Sequence, residues 1–597
     1  MKVILYFLII NCCFYSCQSE KQKQPEKKPN IILIVTDDQG YGDLACHGNP
    51  WIKTPNIDRL YSQSTRFTNF HVGTTCAPSR AGLMTGKYCN KVGVWHTIKG
   101  REILSSEETT LAESLKKAGY RTAIFGKWHL GDNYPYRPQD RGFDEVLIHG
   151  GGGVGQQPDF WNNDYFNDTY FHNGKPEKFD GYCTNIWFTE ALNFIKKNKN
   201  KPFFCYLATN APHSPFHIEK KYSYLYNNNP NIPNPNFYGM ITNLDENLGK
   251  FREALDSLGI TQNTILIFMT DNGTSGGVKF DPDGKVIAGY NAGMRGKKGS
   301  PYDGGHHVPF FLHWADGGID TGKNISNITS YIDLMPTVLD LCGILPKNIS
   351  FDGISLKPLL YDKNNNWPAR ILFSDTQREE NLIKWKQFAA MTDQWRMVGK
   401  DELYDISTDP GQQDNVAGAH PVIMKKLLAA YETWWGDNLW NADQYNYIKI
   451  GAIDIPVRLN SHDCHMKEGM PAWSQSMVRN AEGENGFWAV EVAKSGKYKI
   501  ELYRWPKESH LRLNDPAPKG EKIPGGKPYP KGKALAICKA KVKMGEYELY
   551  KEVNSSDSCV TFTLELKKGT YKLECRFFDA ENIERDSYYA YVNFLGM

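Results

Sequence analysis

Two long apolar runs with almost no polar interruption constrain the fold of this chain more than any other feature. They occupy residues 30–36 and 264–270. Runs without the alternation of a half-exposed strand are typical of strands buried on both faces of a parallel sheet. Strand and helix patterns alternate from residue 29 to about residue 361. We therefore predict an α/β fold with a mixed, largely parallel sheet sandwiched between helices.

Oxygen-bearing side chains follow both apolar runs. Asp37 and Asp38 come directly after the first run, and Asp271 and Asn272 come directly after the second. Ligands of open α/β sheets lie at the carboxyl ends of the strands, so these side chains are expected at one site. Adjacent carboxylates repel unless a cation neutralises them, and hard oxygen ligands suit Ca²⁺ or Mg²⁺. A solvated acidic turn is the alternative for the first pair taken alone.

A thiol, a proline, a hydroxyl and a guanidinium lie within one pentapeptide, Cys76-Ala77-Pro78-Ser79-Arg80. The small and polar residues after Arg80 favour the start of a helix, which would place Cys76 near a positive helix end. A neighbouring guanidinium would lower the pKa of the thiol, and such a site favours an anion. A buried free cysteine beside a turn is the alternative.

The pentapeptide resembles the sulfatase signature, Cys (or Ser)-x-Pro-x-Arg, and residues 119–131 closely resemble the second signature of that family. Over roughly residues 29–440 the chain is similar to the type I formylglycine-dependent sulfatases of the alkaline-phosphatase-like superfamily. The resemblance implies that a formylglycine-generating enzyme oxidises Cys76 to formylglycine (3-oxoalanine). One oxygen of the hydrated aldehyde would then attack the sulfur of a sulfate ester.

The resemblance also implies a metal site. Members of the family usually hold calcium beside the formylglycine. The matching ligand positions in this chain are Asp37, Asp38, Cys76, Asp271 and Asn272. Asp37 is further expected to help deprotonate the attacking hydroxyl.

Six positions are implied to take part in the reaction: Cys76, Arg80, Lys127, His129, His213 and Lys298. Arg80, Lys127 and Lys298 would stabilise the sulfate charge. His213, between two prolines, would protonate the leaving oxygen, and His129 would be the base that expels sulfate. Lys127 and His129 alternate in sequence, so on a strand they would share one face. A surface lysine and a structural histidine are the alternative for this pair.

The block at residues 295–305 departs from the common form of the family. Asp303 stands where Glu is usual, and the pair His306-His307 stands where an Arg often precedes Val-Pro. If the register slips by one residue, Lys297 takes the place of Lys298. These departures bear on the substrate rather than on the chemistry.

The substrate is expected to be a sulfated saccharide cleaved in the exo mode, and the tailed architecture favours a galactose or N-acetylgalactosamine sulfate. The loop at residues 149–165 mixes glycines with Trp161 and Asp164. Aromatic faces and carboxylates suit a sugar ring and its hydroxyls. His306 and His307 are expected to reach a sugar hydroxyl as well. A purely structural loop capped by Trp161 is the alternative.

The pattern of the chain divides it into five segments. They are a signal peptide at 1–17, a tether at 18–28, a catalytic α/β domain at 29–366, a small α+β subdomain at 367–443 and an accessory β-sandwich-like domain at 444–597. The last segment is predicted from short alternating runs separated by Gly- and Pro-rich turns. An amphipathic helix is predicted at residues 421–435.

The amino-terminal segment predicts export. Its apolar run is too short to span a bilayer, and the run ends in a box similar to those of bacterial lipoproteins, with Cys17 as the lipidated residue. We expect a periplasmic or cell-surface bacterial protein attached to the membrane through Cys17, with plain secretion as the alternative. No transmembrane helix is expected after this segment.

The composition excludes one class of function and leaves two alternatives open. A net charge of only +3 over 597 residues argues against a nucleic-acid partner. A phosphatase or phosphodiesterase of the same superfamily would share the sheet and the metal positions, but those relatives use an unmodified Ser or Thr. A surface glycan-binding protein with an inactive core is the non-enzymatic alternative.

The 13 cysteines show no disulfide framework, although Cys538, Cys559 or Cys575 could pair.

Overall fold

The computed structural model describes residues 28–282, 284–344, 348–361, 367–438 and 444–596. The predicted signal peptide and the lipidation of Cys17 lie outside the described residues. Among the described residues, none of the helices combines the length and the hydropathy needed to cross a bilayer. All ten described cysteines are free, including Cys538, Cys559 and Cys575.

A ten-stranded sheet forms the centre of the fold. In spatial order its strands are Asn324–Ile325, Thr65–Phe67, Phe310–His313, Thr264–Thr270, Asn30–Thr36, Phe203–Ala208, Arg121–Gly126, Glu145–Ile148, Thr169–His172 and Lys175–Lys178. The five strands from Thr264–Thr270 to Glu145–Ile148 are mutually parallel, and the strands that flank them are antiparallel to them. The mixed, largely parallel sheet predicted from the sequence is therefore confirmed.

The two apolar runs form neighbouring strands at the middle of this sheet. Asn30 pairs with Thr264 and Thr36 pairs with Thr270, so both runs end at the same edge. Every residue of both strands is buried. Successive side chains of a strand point to opposite faces, which is why both faces of these strands need apolar cover.

Helices cover both faces of the sheet. Ile31, Leu33 and Val35 pack into one apolar cluster, whereas Ile32 and Ile34 pack into another on the opposite face. The first cluster is covered by the helices Cys76–Thr85, Leu111–Lys117, Leu334–Leu341 and Pro421–Asn438. The second is covered by the helices Pro55–Gln63, Cys183–Asn198 and Pro235–Ser257. Shorter helices are Lys220–Ser223, Asp303–His306, Lys357–Tyr361 and Gln475–Asn480.

A small antiparallel sheet follows the ten-stranded sheet in the chain. Its strands, in order, are Leu372–Asp375, Phe388–Met391, Trp395–Val398 and Glu402–Asp405. The helix Pro421–Asn438 packs on this sheet, with Trp434 stacked on Phe373 at a ring-centroid distance of 5.0 Å. Two-stranded pairs elsewhere are Val278–Phe280 with Val286–Gly289 and Phe70–His71 with Thr329–Ser330.

The carboxy-terminal part of the chain, which we call the tail, forms two further sheets. One contains Ile448–Ile450, Trp488–Val492, Gly569–Asp579, Ile537–Met544, Tyr547–Glu552 and Glu584–Asp586. The other contains Val457–Asn460, Tyr589–Gly596, Gly496–Tyr503 and Val560–Leu566. Side chains from both sheets share one apolar core, as the two inner faces of a sandwich do. The boundaries of the predicted domains remain predictions.

The tail is packed tightly against the α/β part. Ile103 and Tyr136 of the α/β part insert into the apolar core of the tail. Tyr136 also donates a hydrogen bond from its hydroxyl to the carbonyl of Tyr447 at 2.8 Å. Loops near the carboxyl edge of the central sheet thus depend on the tail for part of their packing.

Candidate active site

The four oxygen-bearing residues that follow the central strands lie together in the structure. The backbone N–H of Asp38 donates to Oδ1 of Asp271 at 3.1 Å, and Nδ2 of Asn272 donates to Oδ1 of Asp38 at 3.0 Å. Asp37 lies beside them, and no side chain of the four is more than 2% exposed. The parallel pairing of the two strands explains why residues 233 positions apart meet here.

Cys76 lies at the start of a buried helix that points toward this cluster of oxygens. It is the first residue of the helix Cys76–Thr85 and is 2% exposed. Ser79 Oγ donates to the carbonyls of Gly73 and Thr75 at 3.3 and 3.0 Å, which fixes the turn that enters the helix. The free N–H groups of a helix amino terminus favour a negative charge beside Cys76.

Three cations, of which Lys298 is partly exposed, pair one-to-one with three buried carboxylates. Arg80 donates from Nη2 to Oδ2 of Asp271 at 2.7 Å, and Lys127 Nζ lies 2.7 Å from Oδ2 of Asp37. Lys298 Nζ lies 2.6 Å from Oδ1 of Asp38. The charges of these six groups cancel, so a cation added among them would leave a net positive site for an anionic ester.

The pKa values of the carboxylates reflect burial and this pairing. Burial raises the pKa of Asp37, although Lys127 opposes the effect. Burial and the neighbouring Asp37 raise the pKa of Asp271 to about 6, against the effect of Arg80. For Asp38 the cost of burial is outweighed by Lys298 and His213, which hold its pKa below the ordinary value. Burial thus opposes the ionised forms of Asp37 and Asp271 although each carboxylate has a cationic partner.

His129 presents an unpartnered ring nitrogen. Its Nε2 donates to the carbonyl of Thr97 at 2.9 Å, which leaves Nδ1 as an acceptor without a hydrogen-bond partner among the described residues. Burial, together with Lys127, lowers its pKa well below the ordinary value, so the ring is neutral. The residue has a positive φ of 62° and follows the strand Arg121–Gly126. The idea that Lys127 and His129 share a strand face is therefore wrong, because the strand ends before both.

His213 lies beside Asp38. Its Nε2 lies 3.7 Å from Oδ2 of Asp38, and its Nδ1 donates to the carbonyl of Ser214 at 2.6 Å. Burial lowers the pKa of His213 to about 3, although the negative charge of Asp38 opposes the effect. The neutral ring thus carries its proton on Nδ1 and directs Nε2 toward the carboxylate.

A pocket of about 380 Å³ opens onto Asp38, Cys76, His129, His213 and Lys298. The sequence did not predict several other residues of its wall: His96, Thr97, Ile98, Lys99, Gln156, Ser214, Ser275, Arg378, Gly469, Met470 and Trp473. No motif marks these positions, because they come from segments that meet only in the folded chain. The glycines at 152–153 lie closely against the rings of His129 and His213.

The four residues predicted to contact a sugar do not line this pocket. Trp161 packs edge-on against Trp505 of the tail at a ring-centroid distance of 5.5 Å, under the guanidinium of Arg479. Asp164 accepts from the backbone N–H of Phe166 at 3.1 Å and thereby caps its own turn. The geometry therefore supports the alternative that this loop has a purely structural role.

His306 and His307 are engaged in the interior instead of facing the pocket. The Nδ1 atoms of His306 and His71 are 3.0 Å apart, and Nε2 of His306 donates to the carbonyl of Pro301. Nε2 of His307 donates to the carbonyl of Thr68 at 2.9 Å. Although close in sequence to Lys298, neither ring lines the pocket, and both are held by hydrogen bonds elsewhere.

Comparison with known proteins identifies the class. A family model described as Sulfatase matches residues 29–344, and one described as N-sulphoglucosamine sulphohydrolase, C-terminal, matches residues 297–430. The first match covers more than half of the chain, which therefore belongs to the sulfatase family. It is an enzyme that hydrolyses sulfate esters, and the predicted family and activity are confirmed.

Among curated relatives, the N-acetylgalactosamine-6-O-sulfatase of Bacteroides thetaiotaomicron is 29% identical over 511 residues, covering 70% of this chain and 96% of the relative. Human arylsulfatase A is 30% identical over 464 residues, covering 67% and 86%. The crystal structure of Ps i-CgsB, also solved in complex with k-i-k-neocarrahexaose, is 30% identical. It matches with a TM-score of 0.62 over 70% of this chain and 95% of that one. The phosphonate monoester hydrolase of Agrobacterium radiobacter, at 20% identity, shares the fold alone.

Proposed function

We propose that this sulfatase removes sulfate from a sulfated saccharide, using a formylglycine made from Cys76 and a bound Ca²⁺. The observation that carries the proposal is that Cys76 lines one pocket together with Asp38 and Lys298. These two residues belong to the cluster of three carboxylates paired with three cations. A saccharide is supported by relatives named for N-acetylgalactosamine sulfates and by neighbours solved with bound carbohydrates. A galactose-type sugar remains the favoured substrate.

The residues present fit a calcium ion. Oδ1 of Asp37 and Oδ1 of Asn272 are buried oxygens without a hydrogen-bond partner among the described residues. Such oxygens are costly unless a ligand binds them. Asp38 and Asp271 would complete an all-oxygen set together with position 76, which suits Ca²⁺. When bound, the ion would favour the ionised forms of the buried carboxylates and polarise an oxygen of the ester.

The residues around position 76 would position and activate both reactants. The formylglycine would supply a hydrated aldehyde as the nucleophile. Asp37 would accept a proton from the attacking hydroxyl, since its carboxylate faces the cluster and its pKa is raised. Lys127, Lys298 and Arg80 would hold the sulfate oxygens and stabilise the charge that grows as the S–O bond breaks.

The two histidines would divide the proton transfers. An anionic ester beside His213 would raise the pKa of this ring, so that Nε2 gains a proton and can give it to the leaving oxygen. His129 has a free acceptor at Nδ1, held toward the pocket by the hydrogen bond of Nε2 to Thr97. It would take the proton from the second hydroxyl at position 76 when sulfate leaves.

Sulfate release tests this function directly. Protein made together with a formylglycine-generating enzyme should release sulfate from N-acetylgalactosamine 6-sulfate or galactose 6-sulfate faster than from nitrophenyl sulfate. The peptide containing residue 76 should have the mass of the aldehyde, and Cys76→Ala should be inactive. Full turnover by protein whose Cys76 is an unmodified thiol would contradict the nucleophile. A clear preference for phosphate esters would favour the phosphatase alternative.

The location and the membrane attachment are also proposals. We infer export to the periplasm or the cell surface, with lipidation at Cys17, from the amino-terminal sequence alone. Labelling of cells with a fatty acid analogue, in the native chain and in Cys17→Ala, tests the lipid anchor.

A further inference from the structure

The tail supplies one wall of the active-site pocket. Gly469, Met470 and Trp473 line the same cavity as Cys76. These three residues lie beyond residue 430, where the second family model ends. The side chain of Met470 is 48% exposed and that of Trp473 is half-buried, so both offer apolar surface to a ligand.

Backbone hydrogen bonds hold this wall in place against the loop at residues 149–165, which we call the glycine-rich loop. The N–H of Gln157 donates to the carbonyl of Trp473 at 2.8 Å, and the N–H of Gln475 donates to the carbonyl of Gly155 at 3.2 Å. Gln156 and Ser474 form an antiparallel bridge between them. The backbone of Trp473 is therefore fixed beside the pocket, and this position suits its indole as an aromatic platform for a sugar ring.

A buried lysine on the same pocket has no partner. Lys99 lines the cavity and is 6% exposed, yet no side chain or carbonyl of the described residues pairs with its Nζ. Its backbone is fixed by the tail, because the N–H of Lys99 donates to the carbonyl of His462 at 2.9 Å. The residue is held at a positive φ of 67°.

Arg378 is a second cation of this kind. It lines the pocket with an exposed side chain, and it forms no ion pair within the described chain. His96 lines the same pocket, and burial together with the charges of Lys99 and Arg378 lowers the pKa of its ring well below the ordinary value. The three cations at the floor of the site, by contrast, each have a carboxylate partner.

An ammonium group at the wall of a cavity that has no carboxylate partner attracts an anion, and the attraction is stronger beside the low-dielectric protein than in bulk water. We infer that Lys99 and Arg378 form a second anion subsite. The substrate is then a saccharide that carries, besides the sulfate to be cleaved, a further sulfate or carboxylate group. Its ring rests on Trp473. The inference builds on the proposed function and names the substrate class more closely.

Three probes separate the possible sources of the second anion. They are N-acetylgalactosamine 6-sulfate with one anionic group, N-acetylgalactosamine 4,6-disulfate with a second sulfate, and a glucuronic acid-N-acetylgalactosamine 6-sulfate disaccharide with a carboxylate. We expect the wild-type KM to be at least about tenfold lower for one of the two doubly anionic probes. The probe that shows this difference identifies the group that the subsite binds.

Lys99→Met and Arg378→Met are the variants that test the subsite. Each should raise KM for the preferred doubly anionic probe by about tenfold, because one charge-assisted hydrogen bond is lost. Each should change KM for N-acetylgalactosamine 6-sulfate less than twofold. Lys250→Met and Arg59→Met, on exposed helix faces, are the matched controls. Equal losses on all three probes, or no loss on any, would overturn the second subsite.

Two further measurements test the subsite independently of turnover and detect misfolded variants. Calorimetric titration of the Cys76→Ala chain with the disulfate reads binding without turnover. Binding that weakens in the Cys76→Ala/Lys99→Met double variant supports the subsite even if no probe is hydrolysed. Lys99→Met should also melt no lower than the wild type, because an unpaired buried charge is removed; a clear drop in Tm would indicate a structural lysine and contradict the inference.

Discussion

Gly152 lies directly against the ring of His129. A Cβ atom built on Gly152 would lie 2.3 Å from Cε1 and 2.4 Å from Nε2 of that ring. The same nitrogen donates to the carbonyl of Thr97, so the ring is confined from two sides. The glycine-rich loop, itself hydrogen-bonded to the tail, thus sets the position of His129 at the wall of the pocket.

Gly152→Ala should therefore displace His129 and lower kcat. A shift of about 1 Å in a reacting group can cost on the order of 100-fold in rate. KM should change much less, because the ring is not among the groups proposed to hold the sulfate. Gly418→Ala, where a Cβ meets nothing within 4 Å, is the matched control. Unchanged kcat in Gly152→Ala would argue against a role for His129 in turnover.

Calcium should raise the melting temperature through the unpartnered oxygens. A ligand that binds only the folded chain at about 100 times its Kd adds about 2.7 kcal/mol to the unfolding free energy. We expect chelation to lower Tm by several degrees in the wild type, as scanning calorimetry would show. Asn272→Ala, which removes one of these oxygens, should weaken that dependence, whereas Asn193→Ala on an exposed helix face should not. Identical melting with calcium and with chelator would count against the metal.

Trp161→Ala should affect stability more than catalysis. The indole is 7% exposed and packs against Trp505 and the guanidinium of Arg479. Truncating a buried Trp typically costs about 3–5 kcal/mol through lost contacts and the cavity left behind. Urea unfolding measures that loss, and kinetics on the folded fraction should give a KM within about twofold of the wild type. A KM raised tenfold with little loss of stability would restore Trp161 as a sugar contact.

Stability should fall as the pH rises from neutral toward alkaline, because of a buried cluster between the tail and the α/β part. His462 Nδ1 lies 2.8 Å from Oδ1 of Asp463 and 3.5 Å from Oε1 of Glu102. Burial opposes the charge on His462, but these two carboxylates raise its pKa from 6.5 to about 10. Burial also raises the pKa of Glu102.

The sign follows from the direction of both shifts. Each group binds its proton more tightly in the folded state than in the unfolded state, so unfolding releases protons at intermediate pH. The stabilisation by His462 is fully present below pH 6.5 and is lost as the pH approaches about 10. His462→Gln should therefore cost more unfolding free energy at pH 6 than at pH 9.5 in urea titrations. An equal cost at both pH values would show that the ring is neutral in the folded chain.

The floor of the site was predictable from sequence because its residues follow elements that the sequence itself specifies. Asp37 and Asp271 each follow an unbroken apolar strand, and the parallel pairing of these strands brings the two together. Cys76 opens a helix whose first residues are small and polar. Local patterns and the resemblance to the sulfatase family pointed to the same residues.

The walls of the pocket were not predictable because they depend on contacts between distant segments. Trp161 has the composition of a sugar-binding residue, but its partner Trp505 lies in another part of the chain. His306 is close to Lys298 in sequence, yet its ring faces His71 in the interior. No sequence pattern distinguishes Trp473 from other aromatic residues in loops. It lies at the pocket because the neighbouring Ser474 forms a β-bridge with Gln156 of the glycine-rich loop.

The late position of the tail wall in the sequence also determines when the pocket is completed during synthesis of the enzyme. Cys76 is 2% exposed in the folded chain, whereas Trp473 is synthesised far later, and the strand Tyr589–Gly596 that pairs with Val457–Asn460 later still. At roughly 5–20 residues per second, that delay is on the order of tens of seconds. During this interval the pocket lacks its last wall, so the proposed formylglycine-generating enzyme would meet the thiol of Cys76 before folding encloses it.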